Sequence, residues 1–141
     1  MSDLWKRLQE SLDRQGMMRH LDVRFVRVEK GLVELVMPYS DKVTQQQGGF
    51  HGGAIGALAD IAAGYAGLST LTDDVEVVTV EYKINFLNAF SGGELRAIGS
   101  IVKTGRRVIV TTAEVRHVDA EGKQNLCAIM QQTLAPVPKT Y

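Results

Sequence analysis

Leucines recur every four residues near the start of the chain, at positions 4, 8 and 12. This spacing places them on one face of a helix, and Ser2 and Asp3 are residue types that cap a helix start. The pattern predicts an amphipathic helix from Asp3 to Gln15 that ends at Gly16.

Two short apolar runs follow this helix and predict a β-hairpin. The first covers residues 23–28, Lys30-Gly31 is typical of a turn, and the second alternates over residues 33–37 before Pro38 stops it. A polar loop over residues 40–50, with three consecutive glutamines, then leads into a helix that extends to about Ser69.

From residue 78 onward the hydrophobic pattern has a period of two, which predicts strands. Three further strands are expected over residues 95–103, 108–118 and 124–134, and the short connections predict antiparallel neighbours. The strand that begins at residue 78 has two distinct faces. One face carries Val78, Val80, Tyr82, Ile84 and Phe86, and the other carries Thr79, Glu81, Lys83 and Asn85.

The order of elements predicts an α+β domain in which one face of an antiparallel sheet is buried against one long apolar helix. We expect a single domain over residues 1–141, with an N-terminal helix in 1–16, a core in 17–134 and a tail in 135–141.

Charge and composition narrow the classes of function. The 16 basic and 16 acidic residues cancel, so no net positive charge favours nucleic acid or an anionic membrane surface. Hydrophobic residues make up 45% of the chain, which is typical of a globular protein. Cys127 is the only cysteine, and no apolar run has the length of a signal peptide or a membrane span. These features predict a cytoplasmic protein.

Asp60 is the strongest anomaly in the chain. Every other residue from Gly53 to Leu68 is Gly, Ala, Ile, Leu or Tyr. Because burying an unpaired carboxylate is unfavourable by several kcal/mol, Asp60 needs a partner or a chemical role. It either accepts hydrogen bonds from a neighbouring loop or acts as a catalytic acid or base.

The start of the same helix is a second candidate site. His51-Gly52-Gly53 puts free backbone N–H groups at the positive end of the helix dipole, which suits an anion or a carbonyl oxygen. Glycine lets a ligand approach closely. The alternative is a tight turn between loop and helix, with His51 as an exposed capping residue.

The chain resembles the hotdog-fold acyl-CoA thioesterases of the PaaI-like type, within the 4HBT superfamily. The resemblance extends from about Gly16 to Leu134 and includes the order of elements. Many members carry Asn six residues before the His, whereas this chain has Gln45, in which it resembles the related enterobactin-proofreading and 4-hydroxybenzoyl-CoA thioesterases. The residues that carry the resemblance are Gln45, Gly48, His51-Gly52-Gly53, Asp60 and Ala62-Ala63-Gly64.

The resemblance implies a hotdog fold, a sheet wrapped around one helix, and roles for these residues. The Gly52 N–H would hold the thioester oxygen, with Gly53 beside it, and His51 and Gln45 would orient the carbonyl or the attacking water. Asp60 would act as general base on water or attack the carbonyl itself. No cofactor is expected, since CoA is part of the substrate.

Two weaker assignments come from the same resemblance. Thr79 would help to hold water near Asp60, although its strand row could equally face solvent. Lys103, Arg106 and Arg107 flank a predicted turn and would meet the CoA phosphates, although charged hairpin ends are often simply solvated.

No metal site is expected. His20 and His117 are isolated from other ligand types, and Cys127 alternates with Ile129 on a strand, which indicates a core position.

Gly52 and Asp60 are eight residues apart on one helix, or about 12 Å, so one thioester cannot contact both. A homodimer that shares its active sites is therefore expected, and the resemblance extends this to a dimer of dimers. The alternatives are a non-catalytic acyl-CoA binding or sensing protein and a hotdog dehydratase or hydratase. The dehydratase or hydratase is disfavoured because no second set of His and acid precedes the helix.

Overall fold

The computed structural model describes residues 1–141, and its first helix is shorter than expected. Helix α1 covers Asp3–Asp13, and the Ser2 hydroxyl caps it by accepting a 3.1 Å hydrogen bond from the Trp5 N–H. A second helix, α2 (Gly16–His20), begins where the first was predicted to end. The expected boundary differs because the extended backbone of Gln15 separates the two helices.

Six strands form one antiparallel sheet in the order β1-β2-β4-β5-β6-β3. The chain reaches β1 and β2 first, then a single 3-10 turn (Asp41–Val43) and the long helix α3 (Gly52–Leu68) before the other strands. The strands are β1 (Arg24–Glu29), β2 (Leu32–Pro38), β3 (Val75–Phe86), β4 (Glu94–Thr104), β5 (Ile109–Val118) and β6 (Gln124–Pro138).

The expectation that β3 and β4 are antiparallel neighbours is wrong. β3 pairs with β6 at one edge of the sheet, whereas β4 lies between β2 and β5 in its centre. The connection over residues 87–93 is long enough to carry the chain away from β3, so closeness in sequence does not decide the pairing here.

The predicted assignment of side chains to the two faces of β3 is wrong for the residues before Glu81, because a β-bulge interrupts the strand. Thr79 pairs with Leu134 and Glu81 with Thr133, so Val80 is an extra residue without a partner. Thr79 therefore shares the helix-facing side with Tyr82, Ile84 and Phe86, not with Glu81, Lys83 and Asn85.

α3 packs directly on the centre of the sheet and supplies much of the core. Leu58, Ala59, Ala62 and Ala63 have no exposed surface. A Cβ atom at Gly99 of β4 would overlap the carbonyl oxygen of Ala62, so the glycine permits helix and sheet backbones to touch. One long helix enclosed by an antiparallel sheet is the hotdog architecture, which confirms the predicted fold class.

The last strand is longer than predicted. β6 continues to Pro138, and residues 135–138 pair with residues 75–78 of β3, so they belong to the sheet and not to a tail. No helix has both the length and the apolar character that a membrane span requires.

Candidate active site

Asp60 lies in a hydrogen-bond network that joins α3 to two strands. The Thr79 hydroxyl of β3 donates a 2.7 Å hydrogen bond to Asp60 Oδ1. The Gln132 side-chain amide of β6 donates to the same oxygen and also approaches the Asp60 backbone carbonyl at 3.3 Å. Asp60 Oδ2 has no protein partner. Two donors on one oxygen fix the carboxylate and leave the other oxygen available.

Gln132 is the member of this network that sequence reasoning missed. Its side chain is completely buried, and its Oε1 accepts a 3.1 Å hydrogen bond from the equally buried Thr111 hydroxyl. This second contact orients the amide so that its N–H₂ group points to Asp60. The available signal was the register of β6, in which Gln132 is a polar residue between the inward-facing Met130 and Leu134.

The half-buried Asp60 borders a cavity of about 410 Å³ between α3, α1 and β3. Beyond Asp60 and Thr79, its wall includes apolar side chains of α3 and a polar cluster. In that cluster the Tyr65 hydroxyl donates to Ser11 Oγ at 3.0 Å and accepts from Gln15 Nε2 at 2.8 Å. Burial raises the pKa of Tyr65 to about 12, so its hydroxyl remains a donor. This volume falls within the range of small-molecule pockets.

The start of α3 keeps one backbone donor free. His51 is the N-cap residue, and its Nδ1 accepts a 2.7 Å hydrogen bond from the Gly53 N–H. The N–H groups of Ala54 and Ile55 bond to the His51 carbonyl, whereas the Gly52 N–H has no protein acceptor. The expected capping role of His51 and the free N–H of Gly52 therefore occur together. Gly53 uses its N–H within the cap, and a Cβ atom at this position would crowd the His51 ring.

The glutamine loop folds back beside this helix start. The Gln45 N–H bonds to the Gly49 carbonyl at 2.9 Å, and a β-bridge joins Thr44 to Phe50. Gln45 Oε1 accepts a hydrogen bond from the Gln47 N–H. The side-chain NH₂ group of Gln45 has no acceptor in the protein. The structure thus brings Gln45 and Gly52 to one end of α3, and it places Asp60 two helical turns away within the same chain.

Lys103, Arg106 and Arg107 are exposed and line a cleft of about 370 Å³ at the tip of the β4–β5 hairpin. None of these three cations takes part in a salt bridge. They are available to bind an anion.

The remaining candidates have structural contacts. His117 is buried, stacks on the Phe90 ring at 4.4 Å and contacts the Gly92 carbonyl. Cys127 is buried, which raises the pKa of its thiol to about 11. No three His, Cys, Asp or Glu side chains lie together in a way that could hold a metal ion.

Comparison with known proteins identifies the family. The sequence profile of the thioesterase superfamily matches residues 47–122. The 1,4-dihydroxy-2-naphthoyl-CoA hydrolase of Escherichia coli is 29% identical, and the match covers 94% of this chain and 98% of the hydrolase. A protein of Saccharolobus solfataricus that is named as an esterase is 38% identical, over 79% of this chain and 77% of that protein. A thioesterase family protein from Silicibacter pomeroyi superimposes with a TM-score of 0.92 at 34% identity, covering 96% of this chain and 99% of that one.

The chain therefore belongs to the thioesterase superfamily. It is an enzyme of the thioester hydrolase class, as the resemblance implied.

Proposed function

We propose that the protein hydrolyses acyl-CoA thioesters, with Asp60 as the residue that activates the attacking group. The observation that carries this proposal is the asymmetric use of the Asp60 carboxylate. Thr79 and Gln132 both donate to Oδ1, and Oδ2 is left without a protein partner beside a cavity. A carboxylate that only stabilised the fold would gain more by using both oxygens.

Two routes use the same atoms. As a general base, Oδ2 takes a proton from water while the water oxygen attacks the thioester carbon. The C–S bond then breaks, and the proton on Oδ2 passes to the CoA sulfur, so CoA leaves as the thiol and the carboxylate is restored. As a nucleophile, Oδ2 attacks that carbon itself, CoA leaves, and water hydrolyses the resulting anhydride. Thr79 acts in both routes by holding Asp60, and the Thr79 hydroxyl is 2.7 Å from Oδ1.

The oxyanion donor in this proposal is the Gly52 N–H, with His51 and the Gln45 amide beside it to orient the thioester. An unpaired N–H at the positive end of a helix is suited to charge that develops on a carbonyl oxygen. The His51 side chain supports this site by binding the neighbouring Gly53 N–H.

Each active site combines two subunits in this proposal. Gly52 and Asp60 lie about 12 Å apart along α3, which is too far for one reacting carbon. β3 is an edge strand with exposed apolar side chains, including Val80 and Phe86, and the exposed Leu87 follows it directly. Such an edge pairs readily with a second copy. A dimer formed there brings Gly52 of one subunit toward Asp60 of the other, and two dimers form the tetramer.

The exposed cations at the β4–β5 turn complete the substrate site. Lys103, Arg106 and Arg107 carry three unpaired positive charges around one cleft, which suits the phosphate groups of CoA. Hydrolysis in this scheme needs protein groups and water only.

Release of free CoA from a panel of acyl-CoA substrates, followed with a thiol reagent, tests the proposal. We expect Asp60→Asn to retain fold and oligomeric state and to lower turnover at least about 100-fold, since the base is lost and the shape is kept. Asp22→Asn, a change at an exposed aspartate without side-chain partners, is the matched control. Asp60→Asn activity within a few fold of wild type would remove Asp60 from the chemistry, and binding without any thiol release would indicate a binding protein.

A further inference from the structure

The cavity beside Asp60 continues along α3 toward the end of the helix. Asp60, Gly64 and Leu68 are spaced by four residues, so they lie on one helix face and all three line the cavity. Each step of four residues advances about 6 Å along the axis. The cavity therefore extends roughly 12 Å from the reactive carboxylate, with Gly64 halfway.

Packing does not explain the glycine at position 64. A Cβ atom there would find no heavy atom within 4 Å. The contrast is Gly67, where an added Cβ would overlap a methyl group of Leu134. Glycine inside a helix is about 1 kcal/mol less favourable than alanine, so a glycine that no neighbour requires is a cost without a packing benefit. The space in front of Gly64 is cavity space.

We propose that Gly64 sets the size of the acyl group that the enzyme accepts. The inference rests on the proposed function, because it assumes that the acyl group enters the cavity next to Asp60. The acyl chain passes Gly64 on its way toward Leu68, and Val77 of β3 lines the same cavity. A side chain at position 64 fills the middle of this channel and leaves only the part next to Asp60.

The experiment is a specificity profile of the variants Gly64→Ala, Gly64→Val and Gly64→Leu. The substrates are straight-chain acyl-CoAs from acetyl to decanoyl, and the measured quantity is kcat/KM from free CoA release. Each methylene that can no longer be buried lowers kcat/KM about fourfold. We therefore expect Gly64→Leu to lower the ratio of decanoyl to acetyl activity at least about 50-fold, with smaller shifts for Val and Ala.

Val77→Ala is the reciprocal variant, because it enlarges the same cavity from the opposite wall. We expect it to leave the decanoyl-to-acetyl ratio unchanged or higher. Thermal unfolding of every variant shows that each one is folded at the assay temperature, and the alanine and valine variants provide the series if leucine prevents folding. In the Gly64 variants, a uniform loss across all chain lengths, or a profile unchanged from wild type, would overturn the proposal.

A second measurement separates this inference from the proposed function. Binding of acetyl-CoA and decanoyl-CoA to the Asp60→Asn protein, with and without Gly64→Leu, is measured by calorimetry and needs no turnover. Selective weakening of decanoyl-CoA binding supports the role of Gly64 even if the wild-type protein releases no thiol. If Gly64→Leu leaves the binding of both acetyl-CoA and decanoyl-CoA unchanged, that role is refuted.

Discussion

Replacement of Gln132 by methionine tests whether a buried amide holds Asp60 in its reactive orientation. Methionine has nearly the same length and volume but cannot donate to the carboxylate. The change removes the contact from Gln132 to Asp60 Oδ1 and leaves the Thr79 hydroxyl as the one side-chain donor on that oxygen. It also leaves the buried Thr111 hydroxyl without its acceptor.

The expected magnitudes follow from these two lost contacts. A hydrogen bond to a charged group contributes about 1.5–3 kcal/mol, and each 1.36 kcal/mol in the activation barrier changes the rate tenfold. If the orientation of Asp60 is needed only in the transition state, kcat falls about 10- to 150-fold while KM stays nearly constant. The unpaired Thr111 hydroxyl lowers the free energy of unfolding by about 1–3 kcal/mol, which a typical domain tolerates.

Gln131 provides a matched control on the same strand. It is exposed, it carries no side-chain hydrogen bond, and its side chain points to the opposite face of the sheet. Gln131→Met therefore makes the same chemical change one residue away, and we expect kcat within about twofold of wild type and stability within about 0.5 kcal/mol.

Thiol release and urea unfolding are the two assays for the pair of variants. A Gln132→Met enzyme whose kcat is within threefold of wild type would refute the reasoning, because Thr79 alone would then suffice to orient Asp60. A fall in kcat that Gln131→Met shares would also refute it.

Two further predictions concern the dimer and alkaline pH. Inactive Gln45→Ala and Asp60→Ala chains, refolded together in equal amounts, should recover about a quarter of wild-type activity, because half the dimers carry one intact shared site; no recovery in mixed dimers confirmed by mass spectrometry contradicts shared sites. Burial raises the pKa of Tyr65 to about 12, so the native state holds this proton more tightly than the unfolded state and stability falls as pH rises from about 10 to 12. The Tyr65→Phe variant should lack this loss of up to about 3 kcal/mol. If urea unfolding shows the same fall in stability with pH for Tyr65→Phe and for wild type, the prediction is contradicted.

Much of the site was predictable because its chemistry is local in sequence. A carboxylate within an apolar helix and a His-Gly-Gly helix start are recognisable without a structure. The helix-facing position of Thr79 was not predictable in the same way. It depends on a bulge at Val80, and valine is a typical residue of regular strands, so the residue type gives no sign of the shift.

Gln132 lies between these two cases. Its position between Met130 and Leu134 shows that a polar side chain enters the core, but its partners come from residues 72 and 21 positions earlier in the chain. The order of the strands decides that β3, β5 and β6 are neighbours, and the sequence pattern alone did not predict that β3 pairs with β6.

The small residues of α3 connect the fold to the chemistry. Aspartate has a short side chain, so its carboxylate reaches Thr79 and Gln132 only if the helix lies very close to the sheet. The contact between Ala62 and Gly99 provides this closeness, and Gly67 does the same against Leu134 of β6. Larger residues at these positions would push the helix outward and lengthen both hydrogen bonds to Asp60. The abundance of Gly and Ala in α3 is thus a geometric requirement of a site whose carboxylate and its two donors come from different layers of the fold.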